Sequence, residues 1–230
     1  MDFSGYTDVA RGSAKLLGLE LPQNFDAPYT AKNLQEFWHR WHISLSTWLR
    51  DYLYKPLGGS RGGSLFTYRN LMITMVLGGL WHGARWTFVI WGLLHGAALA
   101  ATRLWQRRRL AGGGAPEPTR GARIAAGVVT FHYVCFAWIF FNADSVAVAK
   151  LILVRIGTGG WGTTNLPWIV PALVALALVA HLLPKTVDAW LRDLFVRTPA
   201  FAQGIVLAAA AVGVHLAAGA KAQPFIYGQF

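Results

Sequence analysis

His42 and His82 are the residues whose type and setting point to chemistry. His82 lies in Leu80-Trp81-His82-Gly83-Ala84, within an apolar run from Met72 to Gly92. Placing an imidazole among residues that want lipid or a dry core is costly unless the ring is neutral or hydrogen-bonded. An ionisable group inside a membrane-like segment is a functional-site hypothesis by default, and a structural histidine bonded to a carbonyl is the alternative. His42 sits further upstream, on the polar stripe of a helical pattern. Two histidines facing one intramembrane cavity could take a proton from a hydroxyl, because a desolvated site keeps the imidazole neutral. Acyl transfer to a sugar or alcohol needs that proton removed. Two unrelated structural histidines are the other reading.

Three elements must position this pair. The spacing predicts one helix over residues 33–54, with Asn33 and Glu36 at the separation of a capping box. Leu34, Phe37, Trp38, Trp41, Leu45, Trp48 and Tyr52 form an apolar stripe at the helical period, and Gln35, His39, His42, Ser46 and Arg50 a polar one. Such a helix lies in the interface or lines a polar cavity within a membrane protein. Lys55-Pro56-Leu57-Gly58-Gly59-Ser60-Arg61-Gly62-Gly63 ends it as a tight basic turn. Its glycines could cradle a phosphate, although neither GxxxxGK[ST] nor GxGxxG is present. Residues 65–82 are apolar, short and interrupted by glycine, which suits a re-entrant or broken helix with His82 at the break. Residues 86–105 are about one bilayer long. His95 lies there beside Gly92 and Gly96, which permit close helix approach, and reads as an interhelical hydrogen-bond partner.

Other chemistries fit less well. Glu36 and His39 make one Glu-x-x-His pair, but a di-iron bundle needs two such pairs and further carboxylates. The chain has 10 acidic residues and no second pair, so no metal is expected. No G-x-S-x-G elbow supports a serine hydrolase. No acidic cluster within the spans supports a small transporter.

Composition points to a membrane. The chain is 54% hydrophobic and only 13% charged, about half the charged share usual in soluble domains. Its mean hydropathy is +0.38. Gly is enriched in spanning helices and Trp at bilayer interfaces, and this chain has 25 and 11 of them. The net charge of +11 could suggest nucleic acid, but the positive residues cluster between apolar segments, as the positive-inside rule expects. The lone Cys135 reads as a small buried apolar residue.

The remaining chain follows the same pattern. Residues 3–19 predict a short helix with Val9, Ala10, Ala14, Leu16 and Leu17 inward, broken by Pro22, Asn24 and Pro28. Arg107-Arg108-Arg109, the glycines at 112–114, Pro116, Pro118, Arg120 and Arg123 make a basic, cytoplasmic connection. Spans are predicted over 124–142, 166–183 and 203–219, with His132 buried structurally in the first. An interfacial turn of helix is predicted at 188–192. Pro224–Phe230 reads as an aromatic interfacial tail. No repeat or separable second domain is visible, so 1–230 is expected to be one membrane-embedded, all-α domain of polytopic transmembrane helices.

At the two histidine segments the sequence resembles a known family. Residues 33–59, from Asn33-Leu34-Gln35-Glu36-Phe37-Trp38-His39-Arg40-Trp41-His42 to Lys55-Pro56-Leu57-Gly58-Gly59, resemble the signature of membrane-bound O-acyltransferases. Gly79-Leu80-Trp81-His82-Gly83-Ala84 resembles their histidine motif. Asp2-Phe3-Ser4-Gly5-Tyr6-Thr7-Asp8, Trp138-Ile139-Phe140-Phe141 and the Phe-Ile-Tyr tail are similar to the bacterial alginate O-acetyltransferase branch. His39 stands where that family usually has arginine, and Gly228 where the tail usually has phenylalanine.

The resemblance implies roles. His82 falls on the family's catalytic histidine and His42 on its supporting histidine. Trp81, Ser46, Trp41 and Arg50 are expected to line the substrate channel, with the 33–54 helix as its wall. The implied reaction moves an acetyl group from acetyl-CoA to hydroxyls of an exported polysaccharide, directly or through a periplasmic acetyltransferase partner, at the bacterial inner membrane. D-alanyl transfer to teichoic acid is the related alternative. In that family Asp2-Phe3-Ser4-Gly5-Tyr6 is normally internal, so the chain is expected to be the C-terminal half of a longer enzyme. A truncated, non-catalytic membrane subunit that binds a partner chain is the reading from another class.

Overall fold

The computed structural model describes residues 2–113, 117–159, 162 and 166–217. Among them every regular element is helical. The residues cluster into two compact units, Phe3–Pro167 and Trp168 onward. The aromatic tail at 224–230 and part of the 106–123 connection lie outside the described residues.

The first unit holds α1 (Asp2–Leu16), α2 (Leu34–Arg40), α3 (Ile43–Trp48), α4 (Gly63–Trp81), α5 (Trp86–Ala111), α6 (Arg120–Asn142) and α7 (Val146–Thr158). α4 and α5 form its most extensive helix pair, and α5 also packs on α6 and α2. Glycine makes the α4–α5 approach close. A Cβ on Gly92 would lie 2.5 Å from the Met75 carbonyl oxygen, and one on Gly79 would strike the Phe88 carbonyl oxygen. The core sits where α2, α4, α5 and α6 meet, around Leu34, Phe37, Trp38, Met75, Trp91 and Val134.

α5 and α6 are long and apolar enough to cross a membrane. With 26 and 23 residues, they extend about 39 and 34 Å against a hydrocarbon core of about 30 Å. α6 presents Ile124, Val128 and Val129 outward. His132 and Cys135 are exposed on α6 as well, rather than buried as expected. α6 packs on α5 along one face only, around Val134 and Ala137, and these two residues lie off it. His132 uses its own helix, with Nδ1 2.8 Å from the Val128 carbonyl oxygen.

Within the first unit the structure differs from the sequence expectation at three further elements. α4 is unbroken from Gly63 to Trp81, so the chain is interrupted only at its end, at His82. Gly78 and Gly79 do not break it because both are filled from outside, by Leu49 and by the α5 backbone. The predicted 33–54 helix is three pieces: α2, α3 and a π-helical stretch at Leu49–Tyr54. Its apolar stripe therefore does not hold. Phe37 and Trp38 are buried, whereas Trp48 and Tyr52 are exposed. On α1 only Ala14 of the predicted inward residues is buried, and Val9, Leu16 and Leu17 are exposed.

The second unit holds α8 (Ile169–Leu182), α9 (Lys185–Arg197) and α10 (Ala200–Ala217). α8 is 14 residues long, about 21 Å, shorter than the predicted span. Pro184 stops it by holding Leu183 extended. The predicted interfacial turn is a full amphipathic helix, α9, with Trp190, Leu191 and Leu194 exposed. Gln203 Nε2 donates to the Phe195 and Thr198 carbonyls, both at 3.0 Å, and ties the end of α9 to α10.

Candidate functional site

His42 owes its position to a deliberate break. Asn33 caps α2, its Oδ1 accepting from the Glu36 backbone N–H at 2.8 Å. Glu36 in turn accepts from Lys32 N–H at 2.9 Å and pairs with Arg40 at 2.7 Å. The Glu-x-x-His carboxylate is therefore committed to holding α2. Among the described residues no three His, Cys, Asp or Glu side chains converge as metal ligands.

α2 stops at Arg40, and His42 takes a left-handed conformation with φ 42° and ψ 59°. A non-glycine residue there is strained by roughly 1–2 kcal/mol. The segment at 24–26 splints the break. Asp26 N–H donates to Arg40 O and Ile43 N–H to Asn24 O, each at 3.0 Å. Ser44 Oγ donates to Asn24 Oδ1 at 2.7 Å. The turn carries the His42 ring onto Phe3 and Phe25, at centroid distances of 4.7 and 6.4 Å. Its Nδ1 lies 3.4 Å from Ser44 Oγ.

His82 caps the C-terminus of α4, its N–H donating to Gly79 O at 3.0 Å. Gly83 follows with φ 142°, a backbone that favours glycine. Arg85 then starts α5, its guanidinium over Phe88 at 4.5 Å and 3.6 Å from Asp144. The His82 side chain is buried in an aromatic shell. Trp81 and Phe141 meet it edge-on at 4.9 Å, Trp91 at 5.7 Å, and Phe88 lies at 6.0 Å.

An aromatic chain joins His42 to His82. Phe25 packs on Trp41 at 4.9 Å, Trp41 on Trp138 at 5.0 Å, and Trp138 on Phe141 at 5.1 Å. Of the other predicted site residues, Trp81 is largely exposed and Trp41 half-buried within this shell.

Ser46 and Arg50 face elsewhere, into a cavity of about 380 Å³ whose walls also include Gln35, His39, Trp38 and Arg103. Neither His42 nor His82 lines it. Four of the five residues of the predicted polar stripe thus share the cavity, and His42, at the break, is turned out of it. Trp38 stands between the two regions. It lines the cavity and packs on Trp91, which packs on His82. Ser46 Oγ donates to Trp41 O at 2.9 Å, and Arg50 is held by both carboxylate oxygens of Asp51 at 2.9 Å.

Asn24 and Phe25 carry no sequence signal beyond a loop and bulk. Phe3 and Phe141 lie in segments that resemble the family, but nothing in the sequence places them at the site. Phe3 and Phe25 wall the His42 ring, and Phe141 walls that of His82. Asn70 is fully buried and reads as a polar accident within α4. Its Nδ2 donates to Leu57 O and Gly59 O, both at 3.0 Å, and pins the glycine-rich turn. A strongly polar residue within an apolar run was the signal available for it.

Residues 1–147 match the family model for MBOAT, the membrane-bound O-acyltransferase family. The chain is 47% identical over 166 residues to "Probable alginate O-acetylase AlgI" of Azotobacter vinelandii, covering 72% of this chain and 32% of that protein. It is 45% identical over 157 residues to "Peptidoglycan O-acetyltransferase" of Helicobacter pylori, covering 66% and 28%. It is 34% identical over 151 residues to "Teichoic acid D-alanyltransferase" of Bacillus subtilis, covering 61% and 37%. The chain thus spans about a third of the length of the curated relatives it matches.

Proposed function

Because this chain belongs to the membrane-bound O-acyltransferase family, we propose that it carries the histidine site of an O-acetyltransferase of the bacterial inner membrane. It moves acetyl from acetyl-CoA to hydroxyls of an exported polysaccharide such as alginate, directly or through a periplasmic acetyltransferase partner. The observation that supports this reading most is that His82, buried in an aromatic shell at a helix end, is joined through Phe141, Trp138, Trp41 and Phe25 to His42, held at a strained backbone position.

In this reading His82 is the general base. A ring nitrogen takes the proton of the acceptor hydroxyl as its oxygen attacks the thioester carbonyl. The carbon–sulfur bond breaks, and the thiolate leaves and takes up a proton. The aromatic shell keeps water from competing as acceptor. His42 positions the acyl group or acceptor. Acetyl is favoured over D-alanyl because identity is 45–47% to the two acetylating relatives and 34% to the D-alanylating one.

The test is transfer of labelled acetyl from acetyl-CoA by membranes expressing the chain, with His82→Ala and His82→Gln beside it. Label should reach polymer or a periplasmic partner with His82 present. It should fall by roughly 100- to 10,000-fold in both variants, as the loss of a general base predicts. Label that persists in the variants overturns the role of His82. Absence of label from the unsubstituted chain overturns activity of the chain by itself and favours the non-catalytic subunit.

A further inference from the structure

Trp91 buries an indole N–H that the fold does not use. The residue is 2% exposed, and its Nε1 has no hydrogen-bond partner among the described residues. A buried donor without an acceptor forfeits its bond to water, so such donors are rare in folded chains. Trp38 shows the usual solution, since its N–H donates to His95 Nδ1 at 3.2 Å. His95 also packs on Trp91, at 4.7 Å. A neutral imidazole has one accepting nitrogen, and Trp38 occupies it, so His95 offers Trp91 no acceptor.

The unused donor lies beside the candidate base. The Trp91 ring meets the His82 ring at 89°, with 5.7 Å between their centres. It packs on Phe141 at 5.3 Å and on Trp138 at 6.1 Å, within the aromatic shell around His82. Trp81 also packs on His82 but is largely exposed. Trp91 therefore supplies a buried N–H next to the imidazole. A hydrogen bond spans about 2.9 Å, so an acyl group seated against His82 comes within reach of a donor on this ring.

Acyl transfer creates the acceptor that Trp91 lacks. As the attacking oxygen bonds to the thioester carbon, the second electron pair of the carbonyl double bond moves onto the carbonyl oxygen. That oxygen becomes an anion until the carbon–sulfur bond breaks and the pair returns. In a dry shell the anion needs a fixed donor, and a donor with no partner at rest breaks no protein bond in order to serve.

We propose that the Trp91 indole N–H is the oxyanion donor of the His82 site. It donates to the thioester carbonyl oxygen and keeps its proton throughout, while His82 removes the proton of the attacking hydroxyl. The proposal rests on the acyl-transfer reading for the reaction, but two of its readouts need no turnover.

The experiment changes one atom group at position 91 of the full chain in nanodiscs. 3-Benzothienylalanine places sulfur where the indole N–H was and keeps the two fused rings. 5-Fluorotryptophan keeps the N–H and is the control. The sulfur analogue should unfold at the same temperature as the unsubstituted chain or a higher one, because it removes an unpaired buried donor. A lower midpoint would mean that the N–H already serves the resting fold, through water or a ring face, and overturns the proposal. The second readout is the infrared carbonyl stretch of acetyl-CoA, carbon-13-labelled at the carbonyl, bound to His82→Gln so that it is not consumed. The band should lie at lower wavenumber with Trp91 than with the sulfur analogue, since a hydrogen bond weakens the double bond. An identical band in both overturns the proposal. In acetyl transfer the sulfur analogue should lower kcat by roughly 100- to 1,000-fold with KM little changed, the loss expected for one oxyanion donor, and 5-fluorotryptophan should retain turnover. A raised KM with kcat intact would make Trp91 a binding wall and overturns its role as donor. If the unsubstituted chain transfers no acetyl, activity of the chain by itself falls, and the unfolding and infrared results still decide the donor.

Discussion

Trp38 and His95 hold each other in the core: the indole N–H of Trp38 donates to His95 Nδ1 at 3.2 Å, and both rings are buried. Acceptance at Nδ1 places the proton of the neutral ring on Nε2. His95 also meets Trp91 at 4.7 Å, and Trp91 is the edge that supports His82. One hydrogen bond therefore couples α2, which leads into His42, to α5, which backs His82.

Trp38→Phe keeps an aromatic ring but removes the donor together with the pyrrole half of the indole, which leaves a small cavity. It leaves the Nδ1 acceptor of a fully buried imidazole without a partner, at a cost of about 1–3 kcal/mol. Thermal unfolding in detergent should show a lower midpoint than the unsubstituted chain. His95→Leu leaves the Trp38 N–H without its acceptor instead, and the double variant Trp38→Phe with His95→Leu, which removes both partners, should lose less than the sum of the two single changes if the hydrogen bond is what matters.

The α4–α5 seam gives a second prediction. Gly79→Ala and Gly92→Ala each put a methyl group against the backbone of the facing helix, which no side-chain rotation relieves. Each should destabilise by about 1–3 kcal/mol or more. Because His82 caps α4 three residues after Gly79, acetyl transfer should fall with stability. Gly204→Ala on α10, where a Cβ meets nothing within 4 Å, is the matched control and should leave the unfolding midpoint unchanged or slightly raised.

These two seams show what was legible in the chain. Gly92 and Gly96 read as points of close approach, and both are. His95 read as an interhelical hydrogen-bond partner, and Trp38 is the donor. Asn33 read as a cap from its spacing to Glu36, and it caps α2. The break at His42 was not legible. A 3.6-residue period counts which residues share a face, but carries no information on the φ of one residue, and the hydrogen bonds that stabilise the break come from Asn24 and Asp26 in a loop. Gly78 and Gly79 misled in the opposite sense. Isolated glycine weakens a helix on its own, but here it lets α5 close over α4, and tertiary contact outweighs propensity. The cavity was legible only as a polar stripe without depth, because Arg103 and Ser60 come from segments far away in sequence.

Asp51 gives a pH prediction. The bonds from Arg50 and Lys55 hold its carboxyl well below the usual carboxylate range. A depressed value in the folded chain means that its contribution to stability is present above the ordinary carboxylate pKa, about 4, and is lost as pH falls through the folded value. Unfolding midpoints of the unsubstituted chain and of Asp51→Asn should differ at neutral pH and converge in acid. Because the group is solvent-exposed, added salt should shrink the difference at neutral pH. A difference that grows in acid would reverse the sign and refute the pairing.

His42 separates backbone from side chain. At φ 42° an alanine keeps the strain of the left-handed conformation and loses the imidazole, whereas a glycine loses both. His42→Gly should therefore unfold at a higher temperature than His42→Ala, by the equivalent of about 1 kcal/mol. If His42 acts through its ring, acetyl transfer should be lost in both variants despite that difference. His42→Asn, which tolerates the same backbone and keeps a polar side chain, should match glycine in stability more nearly than alanine does. Activity restored in His42→Gly but not in His42→Ala would mean that the site needs only the turn, and that the imidazole is there because of where the chain bends.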